Sequence, residues 1–216
     1  MNHFIVVVSL GIILLLAGCG NSPETQIYNH LEEAVQLEEG FKDQQDDITK
    51  LEQEEQELYK QIIELGIEEL DQINELADKA LGSIEERTEK INLEKESLDA
   101  SRAEFEKSQQ FIEEIKDEEI KEKAKAMYET MENRFEAYDN LNKAYNESLV
   151  LEKELYEMLK KEDLQQEELQ AQIEKVNVKY QEVIEANSVF NEFTSKYNEL
   201  KKSFYEIAEI NVKYVE

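Results

Sequence analysis

The sequence has one proline, one cysteine, six glycines and no tryptophan in 216 residues, and its 24 Lys+Arg are outnumbered by 52 Asp+Glu. Each scarcity excludes something. A single cysteine cannot build a disulfide framework or a multi-cysteine zinc site. So few glycines and prolines leave little supply of the tight turns that a many-stranded β protein needs. A net charge of −28 leaves no Lys/Arg surface for phosphates, which excludes nucleic acid as a partner and electrostatic adhesion to anionic lipid as a mode of attachment. The remainder, 40% hydrophobic and 35% charged, suits long helices, and nothing in it points to catalysis.

The first apolar run, Phe4 to Leu16, has the length of a signal peptide and is short for a bilayer span. It ends in Leu16-Ala17-Gly18-Cys19. Two small residues before a cysteine fit a narrow protease cleft; the sulfur takes a diacylglycerol, and cleavage then leaves Cys19 as the new N-terminus. The pattern resembles the lipobox of bacterial lipoproteins, with one departure: Met1-Asn2-His3 carries no Lys or Arg. The expected division is a signal peptide at 1–18, a lipidated cysteine and short tether at 19–23, and an ectodomain at 24–216 on the extracytoplasmic face of the membrane. No cofactor or metal is expected, only covalent lipid on Cys19 (diacylglycerol with palmitate-like chains, and an N-acyl group). Two acyl chains anchor stably, because each buried CH₂ contributes about 0.8 kcal/mol.

The body repeats every seven residues. Ile27, Ala34, Phe41, Ile48 and Ile62 share one phase, broken at Glu55, with Leu37, Leu51, Leu58 and Leu65 as companions. Leu70, Ala77, Ile84, Ile91, Leu98, Phe105 and Ile112 follow one residue out of step, without a miss. Such recurrence marks helices packed through a narrow seam. Ser22 predicts an N-cap with Pro23 at the first helical position. The register slip at Leu65-Gly66-Ile67 predicts a turn, with a bent continuous helix as the alternative. Gly82-Ser83 looks like a stop and a capping box, but the register crosses it, which makes it a local weak point. Asp117 predicts another N-cap, and Asp163 with Gln166 a capping box. Between those caps the stripe is Met127, Met131, Tyr138, Leu141, Tyr145, Leu155 and Leu159; beyond them it is Leu169, Val176, Val183, Phe190, Tyr197 and Phe204. The expected fold is all-α: an elongated antiparallel up-and-down bundle of three to four long helices with coiled-coil-like packing, each about 60–75 Å long. A parallel homo-oligomeric coiled coil fits less well, since it needs no caps at Asp163.

Candidate chemistry is sparse. His30 is the one histidine of the expected mature chain and reads as a residue at the edge of the core. Paired acids such as Asp46-Asp47 and Glu118-Glu119 read as solvated faces. There is no calcium loop and no glycine-rich phosphate loop. Eight of ten tyrosines (Tyr128, Tyr138, Tyr145, Tyr156, Tyr180, Tyr197, Tyr205 and Tyr214) lie beyond residue 120. They either fill the core with hydroxyls reaching water or line a groove for glycan or peptide; the lack of tryptophan disfavours glycan. Tyr156 and Tyr205 lie off the strict repeat, so they are expected to face outward and are the ligand-binding candidates.

From Leu16-Ala17-Gly18-Cys19 through the acidic heptads, the chain resembles the YkyA family of lipoproteins of Gram-positive bacteria, to which cell-wall binding is ascribed. The resemblance implies a membrane-anchored surface protein with a helical, non-enzymatic ectodomain that contacts peptidoglycan, other wall material or an envelope protein. Teichoic-acid-bearing walls are polyanionic and repel a charge of −28, so wall contact requires an uncharged patch, a bridging cation or a protein partner. The alternative is a holdase-like or partner-docking module that opens at Gly66 and Gly82.

Overall fold

A computed structural model describes residues 22–65 and 67–210, and all its regular structure is helical. The signal peptide, the lipobox residues Leu16 to Cys19, Gly66, the side chain of Ile67, and Tyr214 lie outside the described residues. Helix α1 runs Pro23–Leu37, with the Ser22 hydroxyl accepting from the Thr25 amide at 3.3 Å. Helix α2 (Glu39–Glu64) ends at Leu65, whose extended backbone takes the chain out of the helix. The turn expected at the register slip is therefore present, and a 3₁₀ segment, Ile67–Glu69, leads into α3 (Leu70–Phe105). A second 3₁₀ segment, Glu106–Ser108, joins α3 to the short α4 (Gln109–Ile112). Asp117 caps α5 (Glu118–Leu159), accepting from the amides of Glu119 and Ile120 at 3.0 and 3.1 Å.

At Gly82 the register runs on as expected: α3 passes through it, and Ser83, instead of capping, donates to the Leu51 carbonyl at 3.1 Å and ties α3 to α2. One local expectation is corrected. Asp163 does not cap α6, which spans Gln166–Ile207 with Gln165 at the cap position and no side-chain cap bond. Asp163 lies in the turn before the helix, and the Gln165 side-chain amide donates to its carbonyl at 2.8 Å.

With α1 and α2 forming one rod and α3 and α4 another, the architecture is four rods, each about 60 Å long. Rod follows rod up and down: α2 packs on α3, α3 on α5, and α5 on α6, while α1 covers α3 and α4. The heptad residues Ile27, Ala34, Ile48, Ile62, Ala77, Ile84, Ile91, Leu98, Phe105 and Ile112 are buried as the repeat requires, with Phe41 and Leu70 half-buried.

The rods do not close equally at both ends. Near Pro23 the core is aromatic: Phe105 stacks on Tyr128 at 4.9 Å and meets Phe135 and Tyr197 edge-on. There α1 reaches α6, through Tyr28 against Tyr205 at 5.3 Å and through Lys201, 2.9 Å from Glu32. At the other end, a second cluster of Ile48, Ile62, Ile73, Ala80, Ile84 and Tyr145 comes from α2, α3 and α5. Beyond Phe41 and Phe190, α2 and α6 part, and Ile184 on α6 is 61% exposed.

The first rod bends where α1 meets α2. The Ser97 hydroxyl of α3 donates to the Leu37 carbonyl at 2.6 Å and accepts from the Phe41 amide at 2.9 Å. It thus sits between the two groups that an unbroken helix would join, a recognised cause of kinks. Gly40 allows this approach, since a Cβ there would lie 3.2 Å from Ser97.

Candidate functional site

Between α2 and α6 lies a cleft of about 1070 Å³, with α3 and α5 as its floor. Its walls are unlike the rest of this acidic surface. From Ile173 to Thr194, α6 gives the cleft only uncharged side chains, Asn177, Asn187, Asn191 and Thr194 among aliphatic and aromatic ones. The charges of that stretch, such as Glu174, Lys175, Glu182 and Glu185, belong to other faces of the helix. The α2 wall offers Gln45, Thr49, Gln53, Gln56 and Tyr59, with Glu52 and Glu55 its only charges.

The floor is charged and buried. Arg87 of α3, 2% exposed, donates through Nη2 to Glu55 of α2 and Glu152 of α5, and through Nη1 to the Tyr145 hydroxyl at 3.3 Å. Tyr145 in turn donates to Glu52 at 2.6 Å. Burial opposes the Arg87 charge, yet Glu152 and Glu55 together hold its pKa above the ordinary arginine value. One guanidinium cannot neutralise two carboxylates in low dielectric. Burial, reinforced by the charge of Glu152 and opposed by Arg87, accordingly raises Glu55 to about 7. Burial pushes the phenols of Tyr156 and Tyr180 up as well, Tyr156 helped by Glu55 and Tyr180 by Glu152 and Glu55.

Seven residues after Arg87, Glu94 is buried without a cation. It accepts from the Gln45 amide and, at 3.5 Å, from the Tyr138 hydroxyl. Burial raises it to about 7, against the two hydrogen bonds and with the charge of Glu52. Three buried polar atoms of cleft-lining residues have no hydrogen-bond partner within the protein: Arg87 Nε, Glu152 Oε1 and Asn142 Nδ2. At the end nearest the aromatic core, Arg134 closes the cleft. It pairs bidentately with Glu38 at 2.8 Å, lies 4.9 Å over the Phe190 ring, and donates to Thr194 at 3.0 Å.

The floor hydroxyl of Ser148 donates to the Tyr145 carbonyl at 2.7 Å instead of facing a base. His30 is remote from the cleft, stacked on Phe111 with Nδ1 2.7 Å from Glu104, at the edge of the core as its position implied. Among the described residues no group of His, Cys, Asp or Glu is arranged to hold a metal ion.

Tyr156 and Tyr205 do not face outward; they are 2% and 3% exposed. Each follows a seam residue, Leu155 or Phe204, and a rod in contact with two neighbours buries a stripe wider than one seven-residue series. Tyr205 donates to Glu32 at 2.8 Å, inside the closed end; only Tyr156 lines the cleft. The residues that sequence reasoning missed were nevertheless in phase. Glu55 was the gap in the first repeat, Arg87 and Glu94 stand three residues after Ile84 and Ile91, and Glu152 stands seven after Tyr145. A charge held at a core position was the available signal.

A family model described as "Putative cell-wall binding lipoprotein", named YkyA, matches residues 22–207. The chain belongs to the YkyA family. The match begins where α1 is capped and ends where α6 stops, so the family shares the whole bundle. One family member, "Uncharacterized lipoprotein YkyA" of Bacillus subtilis (strain 168), is 37% identical over 201 residues, covering 93% of this chain and 90% of that protein. A 1.6 Å crystal structure of a conserved protein of unknown function from Staphylococcus aureus superposes with a TM-score of 0.60 at 15% identity, over 84% of this chain and 91% of that one. At that identity the likeness establishes the four-rod fold alone. YkyA is thus a lipoprotein family, and no helix among the described residues is long and apolar enough to cross a membrane.

Proposed function

We propose that this YkyA-family chain is a non-enzymatic envelope lipoprotein, anchored through lipid on Cys19, whose α2/α6 cleft receives a ligand from the cell wall. The observation that carries this reading is the uncharged α6 wall from Ile173 to Thr194. A polyanionic wall is repelled by the acidic exterior, whereas the α6 wall of the cleft presents the amides of Asn177, Asn187 and Asn191 without a charge among them. The tether enters at Pro23, in the closed end, and Glu55 lies about 50 Å further along the first rod. The anchor therefore leaves the cleft at the far end, away from the bilayer.

The test is retention of the full chain, in non-ionic detergent, on purified peptidoglycan, with and without divalent cation. Retention is expected, and it is lost when Asn187→Glu places a charge on the exposed α6 wall without altering the melting temperature. No retention of the unaltered chain under either condition would sink the reading. The anchor is checked separately: radiolabelled palmitate is expected to mark the protein in cells and to fail on Cys19→Ser.

The exposed Ile184 on the α6 wall, 61% accessible, favours a second reading, docking of an envelope protein on the same wall. That reading predicts capture of a protein by the cleft, blocked by Asn187→Glu, with no retention on peptidoglycan.

A further inference from the structure

The cleft holds more negative charge than its own cations balance. Of its four carboxyls, Glu55 and Glu152 share Arg87, while Glu52 and Glu94 receive only neutral donors, from Tyr145, Gln45 and Tyr138. The other arginine of the cleft, Arg134, is engaged by Glu38, and no lysine lines the site. Glu52 and Glu94 both line the cleft, and the charge of Glu52 adds to the burial that raises Glu94. Of the two only Glu94 is buried; a buried carboxylate without a counter-charge is costly, and an incoming cation relieves that cost.

The unpartnered atoms add a second requirement. Glu152, 1% exposed, presents Oε1 without a donor, while Arg87 Nε and Asn142 Nδ2 have no acceptor. A peptide unit supplies one N–H and one carbonyl, the complement of such a set, whereas an alkyl ammonium alone leaves it unsatisfied.

We propose that the cleft binds a short peptide bearing a primary ammonium group, with the ammonium seated between Glu52 and Glu94 and a neighbouring amide paired with Glu152 and Arg87. The proposal rests on the reading of the cleft as the binding site and names its ligand class. The rings of Tyr138 and Tyr145, whose hydroxyls already bond the two carboxylates, border the seat, as a cation site favours. In the free protein, protons substitute for the missing cation, as the raised pKa of Glu94 indicates. Facing Glu94 are Glu52 and Gln45 from α2 and Tyr138 from α5, and α6 brings no charge to the cleft. Ligand and proton therefore compete for Glu94.

Isothermal titration of the full chain in non-ionic detergent at pH 7.5 tests this, with acetyl-Ala-Lys-Ala-amide as probe and the same peptide acetylated on the lysine side chain as control. The lysyl peptide is expected to bind roughly tenfold or more tightly than the control, the range for a charge-assisted hydrogen bond. Its affinity should fall from pH 7.5 to 5.5, with proton release on binding seen by comparing buffers of different ionisation heat. Glu94→Gln, which preserves shape and hydrogen-bond acceptance, should erase both the preference and the proton release while the melting curve stays cooperative. Equal affinity for the two peptides, no binding of the lysyl peptide, or unchanged behaviour of Glu94→Gln each overturns the proposal. Retention on peptidoglycan that survives such a result leaves the cleft reading standing with a different ligand; loss of that retention removes both.

Discussion

Phe105 and Arg87 belong to the same helix, α3, and both are buried, yet they face opposite solutions to the same packing problem. Around Phe105 all four rods meet, and the interior is filled with rings from α3, α5 and α6. Around Arg87, α2 and α6 stand apart, and the interior is filled with carboxylates, phenols and a guanidinium. The closed end gains dispersion and apolar burial at every contact. The open end has given up part of that gain, and keeps three rods together with a second apolar cluster, against which α6, held mainly by α5, adds Val183. A protein of ordinary marginal stability sustains such an end only because the other is well packed. Stability and the proposed binding site are thus placed at different levels of one bundle.

The largest expected effect is on the closed side. Phe105→Ala should cost about 3–5 kcal/mol in denaturant unfolding, whereas Ile184→Ala on the open face of α6 should change stability by less than about 0.5 kcal/mol. Similar losses at the two sites would erase the contrast. Next, Arg87→Leu leaves Glu55 and Glu152 buried without a cation and should cost about 3 kcal/mol. Replacing all three by apolar residues of similar size (Arg87→Leu with Glu55→Leu and Glu152→Met) should recover most of it; a triple variant as unstable as the single would show that packing, not charge, holds this level together.

Acidity should act on the open end in the opposite sense to most carboxylates. Glu55 and Glu94, raised from 4.5 to about 7, bind protons in the folded state that the unfolded chain does not hold above pH 5. Their contribution is complete below the unfolded value and is lost as pH rises through the folded one. Between pH 6 and 8 each should therefore remove about 1 kcal/mol of stability as pH increases. Melting temperature should fall over that range, and Glu94→Gln should flatten the fall by about half. A slope untouched by that substitution would place the effect in the overall charge of −28 instead. The smallest effect lies at the end of α6, where Ala208 and Ile210 amides bond back to Phe204 and Tyr205 with Glu209 at φ 53°. That left-handed conformation favours glycine, so Glu209→Gly should stabilise the closed end by up to about 1 kcal/mol in a thermal melt.

The repeats made the rods legible because a seven-residue period reports which face is covered. They do not report by which neighbour, so the parting of α2 from α6 could not be read from Ile48 or Val176. Capping was legible at Ser22 and Asp117, where the partner is the next turn, and failed at Asp163, where a loop turn prevailed. Of the site, the tyrosine bias was visible and Tyr156 does line the cleft, though it does not face outward. Glu55 was noticed as a flaw in a pattern; its partner lies 32 residues away on another helix, beyond the reach of local spacing.

The serine hydroxyl lodged in the first rod has a consequence for how such a receptor can be adjusted. Ser97 holds the junction from which α2 departs at Phe41, and it lies outside the lining of the cleft that α2 walls. A change at that serine would therefore re-aim one side of the opening and leave every side chain along it as it was.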